Sequence, residues 1–168
     1  MTLATGFGSG LSPFAPGTAG SAVGLGLGAV IVWSLDASHS GSLLEALGLL
    51  TSGLAVAAAG IPISTGACRA LGARDPGCIV IDEIAGQLLA VSPAPLFAYA
   101  TRGREAAAWA VAFFAFRFFD VVKPGPIRRL QALPEGLGVV IDDVLAGLLA
   151  AGATAVAGWL LSGGRLWT

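Results

Sequence analysis

Residues 79–90 read IVIDEIAGQLLA and residues 139–150 read VVIDDVLAGLLA. The two stretches align without gaps, share Val-Ile-Asp near the start and Leu-Leu-Ala at the end, and each opens an apolar run with two adjacent carboxylates. Duplication and chance similarity between Leu- and Ala-rich helices both account for the match. On either account, two helices present an acidic pair at the same depth. An unpaired carboxylate committed to an apolar membrane helix costs about 3 kcal/mol on insertion scales, whereas the dipole of a helix N-terminus returns only about 0.3–1 kcal/mol. Asp82, Glu83, Asp142 and Asp143 therefore call for a partner that the helices themselves do not supply.

The surroundings make that cost real. Of the 168 residues 55% are apolar and only 11% charged, against roughly 25% charged in an ordinary soluble domain, and the mean hydropathy is +0.83. Apolar stretches near the ~20 residues that cross a bilayer as helix fall at 19–35, 43–61, 79–101, 106–122 and 139–161. The expected fold is all-α: a polytopic membrane bundle of about five transmembrane helices, in one domain over residues 1–168, preceded by a glycine-rich N-terminal loop. The third stretch is interrupted by VSPAP at 91–95, which should kink or end its helix. The second and fifth are rich in Ala, Gly and Leu, residues that let helix backbones approach closely in lipid. The N-terminus lacks the basic segment and short apolar core of a cleavable signal, so insertion is expected to rely on these spans.

A net charge of −1 gives no basic field of the kind a nucleic-acid partner requires. Cys68 and Cys78 read as reduced packing residues. Five Lys/Arg (Arg69, Arg74, Lys123, Arg128, Arg129) fall in the loops after spans two and four, and three (Arg102, Arg104, Arg165) on the other side. The positive-inside rule then places the N-terminus and the two richer loops in the cytoplasm. On that topology Asp75, Asp82, Glu83, Asp120, Asp142 and Asp143 all lie at the cytoplasmic end of spans three to five. With a single histidine, His39, on the other side and no thiolate cluster, the available ligands are all oxygen, which selects a hard cation, Mg²⁺ first among them.

Between the two acidic pairs lies FRFFDVVKPGPIRR, residues 116–129. Arg117, Asp120 and Lys123 are spaced as successive helical neighbours, and Pro124 and Pro126 end the helix beyond them. A salt-bridge ladder is one reading. Beside a carboxylate-bound metal, Asp120 fits as a further ligand and Lys123 and Arg117 as phosphate clamps. The opening stretch GFGSGLSPFAPGTAGSAVG, residues 6–24, suits either a turn packed between helices or a phosphate cradle at a helix N-terminus, with Gly17, Thr18 and Ser21 against the anion and Thr18 or Ser21 capping the first helix. Asp75, before Pro76, reads as the cap of the third helix.

GFGSGLSPFAPGTAGS, DPGCIVIDEIAG, FRFFDVVKPGPI and GLGVVIDDVLAG, in this order and spanning nearly the whole chain, resemble the signature blocks of bacterial phosphatidylglycerophosphatase A. The resemblance implies an all-helical, Mg²⁺-dependent lipid phosphatase of the bacterial inner membrane that converts phosphatidylglycerophosphate in the bilayer to phosphatidylglycerol. One departure is visible: EGLGVVIDD has Leu137 where a Gly-Gly pair is expected. The chemistry of the residues assigns Asp82, Glu83, Asp120, Asp142 and Asp143 to one or two Mg²⁺ ions and to catalysis with Lys123, while Arg117 joins Lys123 on the phosphoryl oxygens. A phosphatase or phosphotransferase on another lipid phosphate and a cation carrier are the alternatives. A carrier site belongs near the bilayer midplane, whereas these acids lie at span ends. The Cys68–Arg74 spacing imitates a cysteine phosphatase, but its loop has one glycine and reads as a helix end. Oligomeric state is not legible.

Overall fold

A computed structural model describes residues 1–36, 41–73, 76–125 and 135–167. Among the described residues five helices make up the fold: α1 (Pro16–Asp36), α2 (Gly41–Leu71), α3 (Ile81–Val91), α4 (Arg102–Val122) and α5 (Glu135–Ser162), with 3-10 turns at Gly6–Leu11 and Ala94–Leu96. The described residues form no strand, and a lone antiparallel bridge joins Phe97 to Leu166.

The centre of the bundle is the shortest of these described helices. Every residue of α3 except Glu83 is buried, because α1, α2, α4 and α5 all pack against it. Glycines make the approach possible. On α1, Gly20, Gly24 and Gly28 form one stripe facing α3. A Cβ on Gly20 would come within 2.7 Å of Val80 Cβ, one on Gly24 within 2.9 Å of Gln87 Cβ, and one on Gly28 within 3.4 Å of Val91 Cγ1. Numbers rise together on both helices, so α1 and α3 run parallel. On α2, Gly53 meets Leu89 while Gly60 meets Ile81 and Val140, so α2 runs the other way. On α5, Gly147 faces Gly86 and Gly158 faces Phe97, again parallel to α3. Small residues at such crossings replace the hydrophobic drive that lipid does not provide.

The starts of α1, α3 and α5 and the ends of α2 and α4 therefore meet at one end of the bundle. At the other, Ala98 N donates to Arg165 O (3.0 Å) and Trp167 N to Leu96 O (3.0 Å), tying the exit of α3 to the C-terminus.

Three helices, Pro16–Asp36, Ser42–Leu71 and Gly136–Ser162, are long and apolar enough to cross a membrane. The five expected spans need correction in three places. The 79–101 stretch ends its helix at VSPAP as expected, α3 stopping at Val91 before a 3-10 turn, but its 11 residues rise only about 16 Å of the ~30 Å hydrocarbon core, so it is not a span. The fourth stretch begins earlier, at Arg102, with Thr101 Oγ1 accepting from Arg104 N at 3.3 Å as its cap, and its helix carries Arg102, Arg104, Glu105, Arg117 and Asp120. The second stretch continues through Pro62 to Leu71, since neighbouring helices tolerate the one backbone bond that a membrane proline removes. Cys68 lies buried in the last turns of this helix, as the helix-end reading expects. Arg74, Asp75, His39, Arg128 and Arg129 lie outside the described residues. The cap of α3 is Val80, with no side-chain bond, not Asp75. Nor does Thr18 or Ser21 cap α1, which begins at Pro16; Ser21 Oγ donates back to Gly17 O at 2.9 Å.

The crossing of α3 with α4 and α5 yields a direct test. A Cβ on Gly86 would overlap the Phe116 ring and lie 2.7 Å from the Asp143 carbonyl oxygen, whereas one on Gly26 meets nothing within 4 Å. Gly86→Val should cost about 3 kcal/mol or more by overpacking and Gly26→Val no more than about 0.5 kcal/mol, read as unfolding midpoints in detergent. Equal effects would remove α3 from the tight core described here.

Candidate active site

The end of the bundle where α1, α3 and α5 begin collects the acidic residues. Asp82 and Glu83 occupy the first turn of α3. Asp142 and Asp143 belong to α5, but that helix begins at Glu135, so the pair lies two turns inside it and not in the first turn that the sequence suggests. The helix dipole is felt only within the first turn and gives Asp142 and Asp143 no support there. Asp82, Asp142 and Asp143 are 6%, 2% and 3% exposed.

The two acidic pairs do not act as equivalents. One carboxylate oxygen from each of Asp82, Glu83 and Asp143 lies within 4.8 Å of the others, a group able to hold a metal ion. Asp82 Oδ1, Glu83 Oε2 and Asp143 Oδ2 are all buried without a hydrogen-bond partner. Two unit charges at that separation repel by about 3.5 kcal/mol at an effective dielectric near 20. The trio is thus a set of hard oxygen donors with unspent lone pairs, which fits a divalent cation.

Asp142 and Asp120 have cationic partners. Lys123 Nζ donates to Asp142 Oδ2 and lies 3.7 Å from Asp120 Oδ1, and Arg117 Nη1 donates to Asp120 Oδ2 at 2.6 Å. Lys123 is the C-cap of α4 in a left-handed conformation (φ 43°), strained for a residue with a Cβ. Pro124 follows and cannot continue the helix. Burial opposes the charge on Lys123, but Asp142, with Asp143 and Asp120, outweighs it and raises the ammonium pKa above its ordinary value. Among the described residues, five carboxylates against two cations leave a surplus of three negative charges if all ionise.

The glycine-rich opening stretch reaches this end too. Ala4 O accepts from Val80 N at 2.8 Å, and Gly10 lies against the Cys78 carbonyl where a Cβ would overlap. The amides of Gly6, Phe7, Gly8 and Gly10 donate to carbonyls of residues 2–5, so these four are committed inside the turn and the segment packs on the entrance of α3. Its last part approaches the charges: a Cβ on Gly17 would overlap Glu83 Oε1 and lie 3.1 Å from Arg117 Nη1, and Arg117 Nη1 donates to Ser21 Oγ at 3.5 Å. Thr18 is partly buried one residue on.

Gln87, one turn into the bundle from Glu83, escapes sequence reasoning. It is fully buried with both amide atoms unpartnered, as is Ser64 Oγ. A polar residue inside the LLA-type run is its only sequence signal.

Comparison with known proteins shows the family to which the chain belongs. A sequence model of phosphatidylglycerophosphatase A matches residues 2–157. The chain is 37% identical over 163 residues to a "Putative phosphatidylinositol-3-phosphatase" of Bacteroides thetaiotaomicron, covering 96% of this chain and 94% of the relative. It is 39% identical over 150 residues to "Phosphatidylglycerophosphatase A" of Haemophilus influenzae (88% and 82% covered) and 35% identical over 152 residues to that of Escherichia coli K12 (89% and 78%). No solved structure matches the chain. The family match over nearly the whole length, with relatives of that name at this identity, places the chain in the phosphatidylglycerophosphatase A family of phosphoric monoester hydrolases.

Proposed function

We propose that this chain hydrolyses the terminal phosphate of phosphatidylglycerophosphate to give phosphatidylglycerol and phosphate, with Mg²⁺ held by Asp82, Glu83 and Asp143. The carrying observation is the convergence of three orphaned carboxylate oxygens with Arg117 and Lys123 at one end of the bundle. Bound there, the cation supplies Lewis-acid polarisation of a phosphoryl oxygen and favours ionisation of water.

The chain's own residues do the rest. Arg117 and Lys123 present fixed donors to the non-bridging oxygens, where charge accumulates as the bond from phosphorus to the glycerol oxygen breaks and one to water forms. Asp120 and Asp142 hold these two cations in place and complete the acidic set. Gly17, Thr18 and Ser21 form the wall that the phosphate passes beside Arg117, with Gly17 leaving room for the carboxylate and guanidinium. The diacyl tails stay in the bilayer, and the site lies on the cytoplasmic side of the inner membrane.

The name of the Bacteroides relative supports a second reading, a phosphoinositide 3-phosphate as substrate. Purified protein in mixed micelles, offered phosphatidylglycerophosphate, phosphatidylinositol 3-phosphate, phosphatidic acid and glycerol phosphate, should release phosphate fastest from the first. The release should vanish reversibly with EDTA. Preference for another lipid would replace the substrate named here.

The repulsion within the trio gives a readout independent of turnover. Without divalent cation, Asp143→Asn should melt at a higher temperature than the parent, because one buried charge of three is gone. With millimolar Mg²⁺ the parent should gain stability through binding and the variant should not. Turnover of Asp82→Asn and Asp143→Asn should fall at least a hundredfold. A variant that keeps the Mg²⁺-induced shift takes its residue out of the metal site.

A water nucleophile leaves the thiols idle, so Cys68→Ser and Cys78→Ser should keep parental turnover and alkylation should be harmless. Loss confined to folded Cys68→Ser would instead point to a phosphocysteine route.

A further inference from the structure

The described residues before α1 are anchored on one side and bare on the other. Ala4, Thr5, Gly6 and Gly10 are buried against the entrance of α3, whereas Met1, Leu3, Phe7, Leu11 and Phe14 are exposed by 59%, 52%, 78%, 69% and 85%. A soluble surface does not gather such residues in a row. The conformation that turns them outward is itself costly. Phe7 has φ 57° and Ala15 φ 47°, left-handed values that residues with a Cβ avoid, and the bonds from Gly8 N and Gly10 N to Thr5 O, 3.0 Å each, close the turn around Phe7.

Two observations name the occupant of this face. No Asp, Glu, Lys, Arg or His side chain occurs in residues 1–35, so no charged side chain opposes entry into an apolar phase. The bare residues also run on, through Phe14, into the exposed face of α1 formed by Val23, Leu27, Val30 and Trp33, and α1 is one of the three helices fit to cross a membrane. A surface continuous with a lipid-facing helix is met by the same lipid.

We propose that residues 1–14 lie in the boundary between headgroups and acyl chains, with Phe7, Leu11 and Phe14 inserted, and form the lipid-side wall through which a phospholipid presents its phosphate to the acidic site. Gly17, three residues after Phe14, touches both Glu83 and Arg117. A headgroup sliding along this wall reaches the cations while its chains remain in the bilayer. The membrane contact stands on exposure and composition alone; the role in substrate entry rests on the lipid-phosphatase reading.

Single cysteines at Leu11 and Phe14, in a Cys68→Ser/Cys78→Ser background, carry a nitroxide in vesicles of phosphatidylglycerol and phosphatidylethanolamine. Both labels should collide with oxygen in preference to a water-soluble nickel complex, at a depth of about 5–10 Å below the phosphates as for interfacial helices. Phe7→Ser/Phe14→Ser should lower turnover of vesicle-borne phosphatidylglycerophosphate at least tenfold and leave the Mg²⁺-induced rise in melting temperature unchanged. Labels more accessible to nickel than to oxygen would overturn the proposal, as would dipolar broadening between molecules, which would give the face to a second copy. Membrane-depth labels with no lipid phosphate hydrolysed, even by the parent, would sink the enzymatic reading and leave the membrane contact in place.

Discussion

Three carboxylates confined within 4.8 Å inside a helical bundle repel one another in a medium that screens poorly, and the neighbouring structure is arranged around that repulsion. Arg117 and Lys123 neutralise Asp120 and Asp142, acids that would otherwise deepen the negative field. Asp82, Glu83 and Asp143 are left with unpaired oxygens. A fold stabilised only by burial would have placed Leu or Met at those positions, since replacing buried charge by apolar volume is commonly neutral or favourable. Carboxylates at two buried positions, Asp82 and Asp143, and one half-buried position, Glu83, are instead what a bound cation would need.

Parallel packing of α1, α3 and α5 is what delivers these groups from distant parts of the chain. Antiparallel α2 and α4 return the chain after α1 and α3, and α4 carries Arg117 and Lys123 back to the end where α3 begins. The tie between Leu96, Ala98, Arg165 and Trp167 fixes the opposite end, so the acidic end is bounded by helix termini and by the opening turn.

Much of this was legible in the residues. Adjacent acids at the head of an apolar run cannot be ignored in lipid, and the Arg117, Asp120 and Lys123 spacing pointed to one helical face. Hydropathy alone reads residues 79–101 as continuous and counts them as a span; VSPAP marked the break, and the end of α3 at Val91 makes the helix too short to cross. Nor could hydropathy separate Asp142 from Asp143. Adjacent helical residues point about 100° apart, so one met Lys123 and the other joined the trio. The opening glycines fit two roles by composition. The turn's own hydrogen bonds decide for packing at Gly6 and Gly10, while Gly17 lies beside the charged groups.

The glycine stripe on α1 has a mechanical corollary. A seam built from Gly20, Gly24 and Gly28 against Val80, Gln87 and Val91 contributes no rotatable side chain from α1, so α1 cannot accommodate a guest there by switching rotamers. It yields only as a rigid rod sliding or tilting along α3. The contact of α4 with α5 is different in kind: Phe116 and Phe119 of α4 pack there on Ala146 and Ala150, so the rotatable rings come from α4 and the small residues from α5.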